Sequence, residues 1–208
     1  MTDPVSLGWL VVEKWGAGLY GDPCRECGFG WELSPTRALA SVQAVPDAYA
    51  RRLAGATGRE RHPDLAWTAA AYVSHVTDNL RTWAERLAGG YLAGDLAVPG
   101  YDPDLLSRAR HYNDVSLAGA LWSLRWAVDA WTQSAEVALV RGVVLQHATR
   151  GAQRAEDVAR NNAHDAHHHL WDIDRTLRAG VSGPPGGPAG ARGTGAANGD
   201  AAGAAVRP

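Results

Sequence analysis

Histidines are concentrated in one short stretch of this chain. The segment NNAHDAHHHLWDID, residues 161–174, contains four of the eight histidines, at positions 164, 167, 168 and 169. On an α-helix, His164 and His168 lie on one face, one turn apart, where both imidazoles can reach one metal ion. A metal site needs a third ligand from elsewhere, and His75, at the border of an apolar helical stripe, is the best candidate. The alternative is a polar, solvated helix face.

The helical wheel of this segment complicates the metal hypothesis. It places His164 and His168 away from the main apolar side of the helix, whereas His167 and His169 lie closer to that side. We therefore predict that His167 and His169 are packing or surface residues, and that the other two histidines face a polar pocket.

The only cysteines, Cys24 and Cys27, form a CxxC pair in the sequence CRECG. Such a pair is half of a zinc knuckle, which presents two thiolates to one ion. Three interpretations remain open: a second zinc site completed by histidines such as His62 or His111, a reversible dithiol, or two ordinary thiols in a glycine-rich loop.

Long helices must position these residues, and the apolar periodicity predicts four of them. The first is expected from Pro35 to about Leu53, with a kink or break at Pro46, and the second from Trp67 to Ala88, ending at Gly89-Gly90. The third is expected from Ser116 (or Asp114) to about Val140, and the fourth from Ala152 to Gly180. A short helical piece is expected from Pro103 to Tyr112. No strand pattern is evident. The prediction is an all-α four-helix bundle at residues 34–180. Residues 1–33, which include the CxxC pair, are expected to form an irregular N-terminal segment. Residues 181–208 form a Gly/Ala/Pro tail that is expected to be disordered.

Composition excludes some classes of partner. The net charge is -2 and no basic patch stands out, which argues against nucleic-acid binding. No apolar run is long enough to span a bilayer, and the N-terminus lacks a signal-peptide pattern, so we expect a cytoplasmic protein without membrane partners. Lys14 is the only lysine among 20 basic residues, which is typical of GC-rich coding and indicates a high-GC bacterium such as an actinobacterium.

The order of elements, with a histidine on the second long helix and HDAHHH on the fourth, resembles the DinB-like superfamily. This superfamily includes mycothiol-dependent maleylpyruvate isomerases and bacillithiol S-transferases. The resemblance covers roughly residues 35–177 and implies a metal site formed by a histidine of the second helix and an HxxxH pair of the last. Its ligands would be His75, His164 and His168. Trp171 departs from the pattern, since many members have glutamine there.

The isomerase branch implies a second register. It has a glutamate four residues before its histidine and an aspartate three residues after it, and Asp165, His169 and Asp172 match this spacing with Asp in place of Glu. Asp165 and His169 are therefore the reserve ligands. Alternatively, Asp165 or Asp172 would orient the ligating imidazoles.

The resemblance also implies a function. A divalent ion, with zinc favoured and nickel another candidate, would keep a position open for a low-molecular-weight thiol, which is mycothiol in an actinobacterium. The protein would then be a thiol S-transferase or isomerase that acts on a small electrophile. The alternatives are a metal- or small-molecule-binding stress protein without catalysis, and a metal-dependent hydrolase. A homodimer is one candidate assembly.

Aromatic and basic side chains could complete a substrate site. Most tryptophans are predicted to be core, but three lie off the main apolar stripes and could line a pocket. They are Trp122, Trp126 and Trp171.

Three arginines could hold an anionic thiol, although solvated arginines are the more common case. They are Arg81, Arg86 and Arg125.

Overall fold

The structure, a computed structural model, describes residues 13–181, and helices dominate it. The helices are α1 (Ala17–Tyr20), α2 (Pro35–Gln43), α3 (Val45–Arg52), α4 (Ala69–Ala93), α5 (Pro103–Ala109), α6 (Leu117–Arg141) and α7 (Ala155–Val181), and Tyr112–Asp114 is one turn of 3-10 helix. The bundle consists of α4, α6, α7 and the broken helix formed by α2 and α3. The predicted all-α four-helix bundle is confirmed.

The first bundle helix is broken near Pro46, as the sequence predicts. Ser34 caps α2 by accepting a hydrogen bond at its hydroxyl from the backbone N–H of Arg37, at 3.3 Å. α3 begins immediately after Ala44 with Pro46 in its first turn, a position where the missing N–H of proline costs no helical hydrogen bond.

Helix α4 runs past Gly89 and Gly90, where the sequence predicted that it would end. It stops at Gly94, which has a left-handed backbone with φ of 68°. Gly90 is needed inside the helix for close packing, because a Cβ atom there would lie 3.0 Å from Val143 and 3.2 Å from Leu145. Gly90 therefore serves close packing, and neither glycine ends the helix.

A small sheet was not predicted from the sequence. Its strands are β1 (Ala97–Val98), β2 (Val144–His147) and β3 (Gly151–Arg154), in the order β1-β2-β3. β1 pairs parallel to β2, and β2 and β3 form an antiparallel hairpin. The strands are too short for an alternating pattern to stand out, and β3 occupies the start of the stretch that was predicted as helical from Ala152.

The N-terminal segment lies against α7. Cys24, Phe29 and Trp31 are buried in the same core as the bundle helices. The Arg160 side chain of α7 donates a hydrogen bond to the carbonyl of Leu33, at 2.8 Å. The predicted disordered tail falls outside the described residues, apart from the end of α7. In the part of the chain described, no helix is long and apolar enough to cross a membrane.

Candidate metal centres

Helix α7 is fixed in rotation by two buried hydrogen bonds to other bundle helices. The hydroxyl of Tyr49 in α3 donates to the carbonyl of Ala166 at 2.7 Å, and the indole N–H of Trp131 in α6 donates to the side-chain oxygen of Asn162 at 2.7 Å. Because successive helical residues are turned by about 100°, positions 164 and 168 share one face and positions 165 and 169 share the next.

The first cluster combines α4 with α7. Ligand atoms of His75, Asp165 and His169 all lie within 4.8 Å of one another. One oxygen of Asp165 lies 3.6 Å from Nε2 of His75 and 3.5 Å from Nε2 of His169. Two imidazoles and a carboxylate are a donor set that binds zinc and other divalent metals with positions left open. We call these residues the three-ligand cluster.

Neighbouring side chains hold the three-ligand cluster in place. The Asn79 amide donates to the second oxygen of Asp165 at 2.8 Å, and the Tyr101 hydroxyl donates to Asn79 at 3.2 Å. Asp172 lies 3.1 Å from Nδ1 of His169, which leaves Nε2 of that ring directed to Asp165. Each ligand on α7 thus has a polar partner that fixes its orientation.

The charges within this cluster are strongly coupled. Burial alone would raise the pKa of Asp165, but His169 and His75, through charge and hydrogen bonds, hold it well below its usual range. Burial opposes protonation of His169, yet Asp165 and Asp172 raise its pKa to about 9. Without a metal, therefore, a proton on His169 takes the place that a cation would take beside Asp165.

The second cluster joins the N-terminal segment to the neighbouring face of α7. Ligand atoms of Cys24, Cys27, His164 and His168 all lie within 4.8 Å of one another. The Cys24 sulfur is 3.9 Å from Nδ1 of His168. Cys24 and the two imidazoles are at most 4% exposed, and Cys27 is partly buried. We call these residues the cysteine–histidine cluster.

Burial favours the neutral forms of Cys27, His164 and His168 in the cysteine–histidine cluster. Burial and the neighbouring His168 lower the pKa of His164 to about 3, and burial and His169 also lower the pKa of His168. Burial raises the pKa of Cys27 to about 12, with a contribution from Cys24. Neutral imidazoles are ready to bind a metal, whereas the Cys27 thiol needs a cation beside it to ionise.

The structure groups the predicted ligand residues differently from the grouping that the sequence predicted. Among the described residues, His75 does not share a cluster with His164 and His168; it meets Asp165 and His169, the reserve pair. The reason is the 100° step along α7, which turns one pair towards α4 and the other towards the N-terminal segment.

The cysteines have different neighbours from those expected. His62 and His111 are not in their cluster: Nδ1 of His62 accepts from the backbone N–H of Asp64, and His111 is exposed. His167 is exposed, with Nε2 3.2 Å from the carbonyl of Cys27. The helical wheel missed the burial of His164 and His168 because it cannot represent a segment that folds back over α7.

A cavity of about 600 Å³ opens beside both clusters. The N-terminal segment, α4, the β1–α5 loop, the β2–β3 hairpin and α7 form its walls, and His164 and Asp165 lie at its inner side. Two arginines, Arg86 and Arg150, line it as well. Arg150 is 7% exposed and its Nε has no hydrogen-bond partner among the described residues. The cavity is also lined by the carboxylates Glu13, Asp102, Asp104 and Asp165. None of them forms a salt bridge with Arg86 or Arg150, so the guanidinium of Arg150 is available to an anion.

No family model matches this sequence, and no curated protein matches it. Among solved structures, the fold is similar to that of YfiT from Bacillus subtilis, described as a probable metal-dependent hydrolase with an unusual four-helix bundle topology. The TM-score is 0.63 at 16% identity, and the match covers 72% of this chain and 91% of YfiT. The likeness supports the predicted bundle; membership of the DinB-like superfamily stays a prediction.

Several predicted pocket residues lie away from the cavity. Trp122 and Trp126 are exposed on α6, where their rings contact each other, and Trp171 lies beside His168. The tryptophans that line the cavity are Trp15 and Trp83.

Of the three predicted arginines, only Arg86 lines the cavity. Arg81 pairs with Asp78, and Arg125 is exposed on α6. Arg150 was missed because it lies in the β2–β3 hairpin, and the sequence shows no strand pattern that predicts this hairpin.

Proposed function

We propose that the protein is a divalent-metal-dependent hydrolase of small anionic molecules, with His75, Asp165 and His169 as the metal ligands. The observation that carries this proposal is a three-ligand donor set beside a cavity lined by a buried arginine, Arg150, whose Nε has no hydrogen-bond partner among the described residues. The fold likeness to YfiT, a probable metal-dependent hydrolase, agrees with it.

The three-ligand cluster fits a metal because of its donor types and its charge. An ion held by two imidazoles and one carboxylate, with a position open, acidifies a water or thiol placed there and so supplies a nucleophile at neutral pH. In the absence of a metal, His169 carries a proton beside Asp165 and so supplies the positive charge that this carboxylate needs. A cation would take the same role and release that proton.

The surrounding residues position the ligands and the substrate. Asp172 holds the imidazole of His169, and Asn79 holds the carboxylate of Asp165. Arg150, with Arg86 nearby, would bind a carboxylate or phosphate of the substrate, since a guanidinium makes two parallel hydrogen bonds to such groups. The aromatic walls at Trp15 and Trp83 would pack against its apolar part.

A thiol S-transferase or isomerase is the second candidate, with mycothiol as the thiol. One feature favours it: Asp165, His169 and Asp172 have the spacing of the isomerase branch, with Asp in place of Glu. In this case a thiol would occupy the open position and attack a small electrophile. A cytoplasmic location would keep such a thiol reduced.

The test compares His75→Ala and His169→Ala with a matched control, His167→Ala, which changes an exposed histidine of the same helix. Each zinc- or nickel-loaded protein is assayed with a nitrophenyl ester that bears a free carboxylate, and with a thiol plus a halogenated nitroarene. We expect ester hydrolysis that falls at least ~100-fold in the first two variants and is unchanged in the control. Thiol-dependent turnover alone would select the second candidate. Turnover of neither probe by the loaded wild type, or equal rates in all variants, would contradict both.

A further inference from the structure

The cysteine–histidine cluster has the parts of a zinc site that the proposed function does not use. Cys24 and Cys27 lie in one tight turn, in which the carbonyl of Cys24 accepts from the backbone N–H of Gly28 at 2.9 Å. Gly28 has φ of 74°, a conformation that favours glycine. This turn presents two sulfur atoms in one direction, towards α7.

The distances fit a tetrahedral ion. For Zn–S bonds of about 2.3 Å and Zn–N bonds of about 2.0–2.1 Å, neighbouring sulfur and nitrogen ligands in a tetrahedron are about 3.6 Å apart. The Cys24 sulfur and Nδ1 of His168 are 3.9 Å apart, and all four donor atoms lie within 4.8 Å. Small side-chain rotations would therefore bring the four donors to the bonding distance.

One donor group lacks a partner among the described residues. Nε2 of His164 makes no hydrogen bond there, and the residue is only 3% exposed. Three aromatic rings pack around this imidazole, with centroid distances of 4.5 Å to Tyr20, 5.3 Å to Phe29 and 4.5 Å to Trp31. A buried polar atom in an aromatic surrounding is costly unless something binds it, and a cation between the two imidazoles and the two sulfurs would relieve this cost.

Two carboxylates orient the imidazole of His168. Nε2 of His168 lies 3.3 Å from Glu26 and 3.9 Å from Asp172, so an N–H on this nitrogen has acceptors nearby. The other nitrogen, Nδ1, is then free of its proton and faces Cys24. This tautomer is the one that a metal ligand requires.

We infer that Cys24, Cys27, His164 and His168 bind one zinc ion in a closed, structural site, separate from the three-ligand cluster. Two thiolates balance the charge of Zn²⁺, and four protein ligands leave no position for a substrate. The ion would join residues that are more than 130 positions apart in the chain and would fix the N-terminal segment on α7. Because Trp15, Leu19 and Tyr20 line the cavity, this ion would also hold one cavity wall in place.

Cobalt spectroscopy tests this inference without reference to activity. The full-length protein is stripped of metal under reducing conditions and titrated with Co²⁺, which reports thiolate ligands by near-ultraviolet charge-transfer bands and tetrahedral geometry by intense visible bands. We expect the thiolate charge-transfer bands to saturate at one equivalent and to disappear when Zn²⁺ is added, whereas the visible bands also include cobalt bound at the three-ligand cluster. A wild-type spectrum without thiolate bands would overturn the inference, and this outcome does not depend on the folding of any variant.

Matched variants identify the other ligands and separate the two clusters. Replacing both His164 and His168 by alanine should remove or greatly weaken the thiolate charge-transfer bands, because the site loses two of its four ligands, whereas His75→Ala with His169→Ala should leave these bands unchanged. Unaltered bands in the first variant would contradict the inference, because the histidines would not be ligands. Loss of the bands in the second variant would also contradict it, because the clusters would not be separate. The proposed function fails on a different result, the absence of metal-dependent turnover.

Discussion

Position along α7 decides which cluster each histidine joins. His164 and His168 face the N-terminal segment, while Asp165 and His169 face α4. Adjacent residues thus belong to two different sets of possible metal donors, one of four residues and one of three. A four-ligand zinc site is closed and a three-ligand site is open, so under the two proposals above a shift of one residue would separate a structural role from a catalytic one.

Arg150 is the residue on which substrate affinity should depend most. We expect Arg150→Ala to raise KM for a carboxylate-bearing substrate about 10-fold or more, because a buried charge-assisted hydrogen bond contributes about 1.5–3 kcal/mol. The ligands of the three-ligand cluster remain, so kcat should change less. Steady-state kinetics would check this, with Arg125→Ala as the control because Arg125 is exposed on α6. An equal effect of both substitutions would contradict the assigned anion site.

His147 should make the metal-free protein sensitive to acid. Burial, together with Arg150 and Arg86, lowers the pKa of His147 to about 4. Between about pH 6.5 and pH 4 the unfolded chain binds a proton at this residue and the folded protein does not, so stability falls as the pH falls. In urea unfolding with a chelator present, His147→Gln should remove about 1 kcal/mol of the loss between pH 7 and pH 5, because solvent in the cavity that His147 lines screens part of the effect. An identical loss in both proteins would show that His147 is not responsible.

Packing between elements determines where the cavity lies. His75 lies in the first half of helix α4, and the second half of this helix packs on β2 at Gly90. The β2–β3 hairpin brings His147 and Arg150 to the cavity. The sheet therefore matters for function although it contains few residues.

Gly89 and Gly90 provide a matched test of this packing. A Cβ atom at Gly89 would have only Asp95 nearby, at 4.0 Å, so Gly89→Ala should stabilise the protein by about 0.5–1 kcal/mol through helix propensity. Gly90→Ala should give no such gain, because its Cβ would lie 3.0 Å from Val143. Thermal or urea unfolding measures both free energies. Equal stabilisation by the two substitutions would contradict the close approach of α4 to β2.

Much of the helical architecture could be predicted from the sequence, but the pairing of ligands could not. The predicted break at Pro46 and the predicted start near Ser116 are confirmed, and the structure shows that the hydroxyls of Ser34 and Ser116 cap their helices by local chemistry. The choice between His164 and Asp165 as partner of His75 depends instead on the rotation of α7. Long-range hydrogen bonds such as that from Tyr49 to Ala166 fix this rotation, and no local pattern encodes it.

At the scale of the whole molecule, the N-terminal segment completes the bundle. It covers the face of α7 that the helical wheel predicts to be polar and contributes Cys24 and Cys27 to one cluster. It also supplies one wall of the cavity beside the other cluster. Structural and catalytic metal sites would then share one helix, and the integrity of the first would determine the shape of the substrate site.

Anomalous diffraction from crystals grown with zinc, measured on both sides of the zinc absorption edge, tests the central claim most directly. The account predicts two peaks, one among His75, Asp165 and His169 and one among Cys24, Cys27, His164 and His168. A single peak shared by His75, His164 and His168, or no peak at either cluster, would contradict it.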